Sequence, residues 1–106
     1  MGKYLIHGNY VGPGVKGLLR EGGSSRVKAV EHLITSLGGT IDAFYYAFGD
    51  NDFYVILDMP DQASVAAASL AVNASGAASV KTAVLMTPEE VDQAIKKSPN
   101  YRAPGQ

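Results

Sequence analysis

The stretch Thr40 to Phe48, Thr-Ile-Asp-Ala-Phe-Tyr-Tyr-Ala-Phe, followed by Gly49-Asp50-Asn51 and then by Asp52 to Asp58, Asp-Phe-Tyr-Val-Ile-Leu-Asp, decides the fold. Both flanks are rich in β-branched and aromatic residues and the link consists of turn formers, so the pair reads as an antiparallel hairpin of strands two and three. Alternation within 52–58 sets Phe53, Val55 and Leu57 against Asp52, Tyr54, Ile56 and Asp58. One side of this hairpin is apolar and the other mixed, which predicts a sheet covered by helices on one face only.

Upstream, residues 3–11 alternate in the same manner, with Tyr4, Ile6, Gly8 and Tyr10 on one side and Lys3, Leu5, His7 and Asn9 on the other. This is strand one, and Gly12-Pro13-Gly14 reads as the turn that ends it. Val15, Leu18 and Leu19 suggest a short helical turn closed by Gly22-Gly23. A longer helix follows, capped by Ser24 or Ser25, with Val27, Val30, Leu33, Ile34 and Leu37 on one arc and Gly38-Gly39 as its stop.

Downstream, Pro60-Asp61 opens another helix, with Asp61 as N-cap and Gly76 as its end. Residues 78–86 read as strand four. Thr87-Pro88-Glu89-Glu90 combines a capping Thr, Pro at the first helical position and a Glu able to reach back to the cap, so a short C-terminal helix to Lys97 is expected. Residues 98–106 carry no pattern and are expected to form a loose tail after a single domain at 1–97.

The order strand, helix, strand, strand, helix, strand is a ferredoxin-like βαββαβ α+β fold: a four-stranded antiparallel sheet with its helices on one face. Leu5, Tyr54, Ile56 and one aromatic set of strand two are then left exposed together, a patch larger than a soluble monomer usually carries. The economical cover is a second copy of the same face, which closes two sheets into a dimeric α+β barrel. The helix after Pro60 gives independent support. Ala63, Ala66, Ala67, Leu70 and Ala74 form one apolar stripe and Val65, Ala68 and Val72 another on the opposite side. A helix apolar on two sides is expected to be buried on two sides, on the sheet and against the C-terminal helix or a neighbouring subunit.

Composition narrows the function classes. Nine Lys and Arg against ten Asp and Glu give a net charge of −1, which offers no surplus for phosphate or anionic lipid, so neither nucleic acid nor membrane is an expected partner. Cysteine is absent, which removes thiolate chemistry and sulfur-ligated metals. With no charged-then-apolar leader ahead of strand one, a cytoplasmic location is the expectation. Residues 62–80 lack charge, yet Gln62, Asn73, Gly76 and several serines argue against a membrane span. No phosphate loop, dinucleotide fingerprint, catalytic triad order or zinc spacing is present, so no metal and no cofactor is expected.

Two histidines remain, and His32 falls opposite the apolar arc of its helix, on the solvent side. His7 lies on the face expected to be enclosed, near Tyr54 and the aromatics of strand two, where a hydrogen-bonded interface histidine is the first expectation and a general base or ligand contact the second. The candidate catalytic residues are therefore His7, Asp52 and Tyr54, and the candidate ligand contacts His7, Asn9, Tyr45, Tyr46 and Tyr54. The acidic link Gly49-Asp50-Asn51-Asp52 is read chiefly as turn chemistry.

The run from Ala43 to Asp61 resembles the GYD family, named for a Gly-Tyr-Asp signature before strand three. Lys3 to Ile6, Gly17 to Gly23 and Leu70 to Gly76 extend the similarity over about residues 3–96. Gly49 and Asp52 match the signature, whereas Asn51 stands where it has tyrosine, so no role of that tyrosine carries over. The resemblance implies the dimeric α+β barrel and no particular activity. Fold analogy then ranks three functions: a homo-oligomeric module binding a small, partly aromatic metabolite, a cofactor-independent oxygenase or isomerase, and a structural or regulatory assembly protein.

Overall fold

The computed structural model describes residues 2–106; Met1, the first residue of the expected 1–97 domain, lies outside the described residues. Strands β1 (Gly2–Tyr10), β2 (Thr40–Tyr46), β3 (Phe53–Met59) and β4 (Ala78–Val84) form one sheet in the order β2-β3-β1-β4. Every neighbouring pair is antiparallel. Helices α1 (Gly12–Glu21), α2 (Gly23–Ser36) and α3 (Gln62–Ala74) connect the strands, and α4 (Pro88–Lys96) follows them. The α+β, ferredoxin-like βαββαβ arrangement with a short C-terminal helix is therefore the observed fold.

Side-chain alternation divides the sheet as the hairpin suggests. Tyr4 and Ile6 of β1, Phe53, Val55, Leu57 and Met59 of β3, and Ala78 and Val80 of β4 are buried under the helices, where Ile34 of α2 and Val65 and Ala68 of α3 meet them. Phe44 and Tyr46 of β2 pack at the rim of the same core. A bulge between Ile41 and Ala43 puts Ala43 opposite Ile56 and Tyr45 opposite Tyr54, on the other face.

Several local expectations are corrected. Gly12-Pro13-Gly14 is the first turn of a full helix rather than a free turn: Pro13 needs no donor there, and Gly14 is buried against the Ala77 carbonyl, where a Cβ would collide. The Val11 N–H also bonds the Ala77 carbonyl, at 3.0 Å. Neither Ser24 nor Ser25 caps α2. The break is Gly22 alone, at φ +87°, and Gly23 is already helical. Strand β2 stops at Tyr46, because Ala47 and Phe48 belong to the connection that the Ala47 N–H to Asp52 carbonyl bond closes at 2.8 Å.

The two caps read from the sequence are present. The Asp61 carboxylate accepts the Ser64 N–H at 2.7 Å, and Gly76 ends α3 at φ +75°. Thr87 and Glu90 exchange bonds of 3.1 and 3.0 Å in a full capping box. The two stripes of α3 divide differently from a helix buried on both sides. Val65, Ala68 and Val72 pack on the sheet, whereas Ala63, Ala66, Ala67, Leu70 and Ala74 face outward. Helix α4 has no buried residue and makes no extensive contact with α3 or any other element among the described residues. The radius of gyration is 17.0 Å, against about 13 Å for a compact chain of this length. The residues after α4 form neither helix nor strand.

Candidate functional site

The open face is organised in rows by the strand register. Tyr45 pairs with Tyr54, Tyr54 with His7 and His7 with Lys81, so these four residues cross the whole sheet in a line. The next row is Ala43, Ile56, Leu5 and Ala83, an apolar band beside the first. Beyond it, Lys3 reaches both Asp42 at 2.6 Å and Asp58 at 3.1 Å, and these hydrogen-bonded carboxylates raise its pKa above the ordinary lysine value. That triplet closes one end of the face with paired charge.

His7 is held by its neighbours rather than by hydrogen bonds. Its ring lies nearly parallel to that of Tyr54, with 6.1 Å between centroids and 15° between planes. Nδ1 is buried without a partner among the described residues. A buried N–H without an acceptor is costly, which favours the tautomer with the lone pair on Nδ1 and the proton on Nε2. A cavity of about 280 Å³ opens beside the ring, lined by His7, Asn9, Asp50, Asn51, Ser79 and Lys81. Asn51 also donates to the Tyr54 hydroxyl at 3.3 Å, tying the connection between β2 and β3 to this row. Among these groups the Lys81 ammonium, the His7 Nε2–H, the Asn9 and Asn51 amides and the Ser79 hydroxyl can donate, Asp50 brings a carboxylate, and Lys81 and His7 come from paired strands.

The fold divides the sequence candidates into two groups. His7, Asn9, Tyr45 and Tyr54 share the open face. Tyr46 points to the helix side and donates its hydroxyl to the Gly23 carbonyl at 3.0 Å. Burial pushes the Tyr46 phenol up to about 12, helped by the neighbouring Tyr10 and opposed by Arg26. Asp52 turns the same way, its Oδ2 accepting the Tyr10 N–H at 2.9 Å, so it clasps β1 to the hairpin connection. His32 is exposed on α2. Lys81 and Ser79 were not among the sequence candidates, since strand four carries no motif and only the register shows that His7 faces Lys81, and the sequence reads Asp50 chiefly as part of a turn.

Among the described residues no group of three or more His, Asp or Glu side chains is placed to hold a metal ion. No helix among them is long and apolar enough to cross a membrane. The family model described as GYD domain matches residues 4–95 of the 106-residue chain. No curated protein and no solved structure matches the chain.

Proposed function

The chain belongs to the GYD domain family, and on that premise we propose that it is a homo-oligomeric binding domain that encloses a small, partly aromatic, anionic metabolite over the open face of its sheet. The observation that carries this reading is the row Tyr45, Tyr54, His7 and Lys81, in which two phenol rings and a stacked imidazole lead to an ammonium group. A flat ring finds stacking surface on the tyrosines, and a carboxylate finds two donors in the His7 Nε2–H and the Lys81 ammonium. Tyr45, 71% exposed, and the band Ile56 and Leu5 need cover that no helix of the same chain supplies, and a second copy of the face supplies it. The cytoplasm, where a cysteine-free domain loses nothing to a reducing environment, is the compartment that fits.

The test is a titration of the intact protein with hydroxybenzoate, its methyl ester and an aliphatic acid of similar size, followed by melting temperature and by amide shifts in NMR. Hydroxybenzoate should raise the melting temperature in proportion to the logarithm of its concentration and shift the amides of His7, Tyr54 and Lys81, with the ester clearly weaker. Lys81→Ala should lower the affinity about tenfold or more, as loss of a charge-assisted hydrogen bond predicts, without changing the oligomer. Equal binding of acid and ester, or unchanged affinity in Lys81→Ala, would remove this function from the open face.

A cofactor-independent oxygenase or isomerase is the second reading, favoured by the imidazole stacked on Tyr54. Asp52 lies on the helix side, so the partner of His7 in such chemistry would be Tyr54. Turnover of the bound acid that disappears in His7→Phe, with binding retained, would select it. A structural or regulatory assembly protein is the reading left if no acid binds and the oligomer persists.

A further inference from the structure

A second cavity lies on the opposite side of the sheet, between α1 and the connection from β2 to β3. Its volume is about 390 Å³, within the range of about 300–1,000 Å³ usual for small-ligand pockets. Tyr10, Val15, Leu18, Gly23, Tyr46 and Phe48 line it. Phe48 is 101% exposed at the lip, a large apolar ring that folding has left entirely in water.

The polar side chains in the lining are those of Tyr10, Tyr46 and Asp52. Asp52 is the only charged residue in the lining; its Oδ2 takes the Tyr10 N–H, and Oδ1 takes no hydrogen bond among the described residues. Tyr46 donates its proton to the Gly23 carbonyl, and its oxygen lies beside the Tyr10 phenol. Burial, which pushes the Tyr46 phenol up to about 12, keeps the proton in place across the neutral range. The cation nearest to Tyr46, Arg26, is held by Glu21 at 3.6 Å and lies outside the lining. An apolar chamber whose one charge is negative selects a ligand with an apolar body and a positive head.

We propose that the cavity bounded by Tyr10, Val15, Leu18, Tyr46, Phe48 and Asp52 is a second binding site, for a small apolar amine whose ammonium meets the Asp52 carboxylate. The ammonium pairs with Oδ1 and adds a hydrogen bond to the Tyr46 oxygen. The body fills the space between Leu18 and Tyr10 and covers Phe48. The preference is opposite in sign to that of the open face, where Lys81 and His7 donate, so the two sites take different molecules.

The probe is 2-phenylethylamine, with 2-phenylethanol and phenylacetate as neutral and anionic partners of the same shape, titrated into the intact protein and followed by amide shifts. The amine should saturate, shifting Val15, Gly23 and Ala47 and leaving His7 and Lys81 unmoved. The alcohol and the acid should bind about tenfold or more weakly, as loss of a charge-assisted hydrogen bond predicts. Asp52→Asn keeps an acceptor for the Tyr10 N–H and should cost the amine the same factor, while Leu18→Trp should abolish binding by filling the space. An alcohol that binds as tightly as the amine, an unchanged affinity in Asp52→Asn, or amine shifts confined to His7 and Lys81 would each overturn the assignment. So would a Phe48→Ser protein whose mass in light scattering falls while its amine binding is unchanged, since that lip would then be a contact between copies. Failure here leaves the open-face titration untouched, because its probes and its reporting amides are different.

Discussion

On the helix side of the sheet Leu57 and Met59 are wholly shielded from water, whereas one residue away along the same strand Tyr54 and Ile56 remain more than a third exposed. The neighbours differ in cover rather than in chemistry: α2 and α3 lie over one face, and no helix among the described residues lies over the other. Hydrophobic residues on both sides of a strand are the pattern of a sheet buried twice. One layer of cover is internal, and the strand carries the apolar residues for another. The same contrast recurs in α3, where Val65 and Ala68 are buried while Leu70 is 70% exposed.

The largest effect that separates the faces is expected at Leu57. Leu57→Ala removes a fully buried side chain and should cost about 2–5 kcal/mol in urea unfolding, the range for cavities in a core that cannot collapse. Ile56→Ala, measured under the same conditions at low protein concentration, should cost far less, since that side chain is already over a third exposed. Equal costs would mean that the open face is covered as completely as the core in solution, and a cost for Ile56→Ala that rises with protein concentration would identify the cover as another copy.

Next in size is the effect of charge on the open face. Ile56→Asp and Leu5→Lys place an unpaired charge in the apolar band between the Tyr54 row and the Lys3 triplet. If two copies enclose that band, either substitution should reduce the mass seen by light scattering across a concentration series, with the secondary structure retained. Asn51→Ser, in the connection, should leave the mass as it was. A wild-type protein that stays near 11.1 kDa at micromolar concentration would break the comparison, because the face would then be stable uncovered.

How far these features were legible in the sequence follows from whether local signals decided them. The hairpin, the Asp61 cap and the Thr87–Glu90 capping box could be read because turn formers, a capping carboxylate and an early helical proline act within four residues. The extent of α1 could not, because Gly12-Pro13-Gly14 is equally good turn chemistry and helix entry. What decides it is the tertiary approach of Gly14 to Ala77. The α3 stripes were visible as a pair, yet periodicity does not say which side meets the sheet. The candidate site was half legible: parity put His7 and Tyr54 on one face, but the facing Lys81 depends on the β1–β4 register. Tyr46 left that face because the bulge between Ile41 and Ala43 changes the parity of β2.

The smallest expected effect compares two helix caps of similar quality, one on a helix seated on the core and one on a helix that is not. The Ser64 N–H bonded to the Asp61 carboxylate holds that carboxyl below its ordinary value of 3.8. Because the folded value lies below the unfolded one, the stabilisation is present above the unfolded value and is lost as pH falls through the folded value. Asp61→Ala should therefore lower the melting temperature by a few degrees at neutral pH, and the gap from wild type should close as the pH falls below the ordinary carboxyl value through the folded one. Asp61→Asn retains an acceptor for Ser64 and should remove the pH dependence with little loss at neutral pH. Thr87→Ala breaks the capping box of α4, a nine-residue helix with no buried residue, so it should reduce helicity without moving the main transition. If Thr87→Ala lowers the main transition as much as Asp61→Ala does, α4 is docked in solution, and a dependence of that loss on protein concentration would show that it docks on another copy.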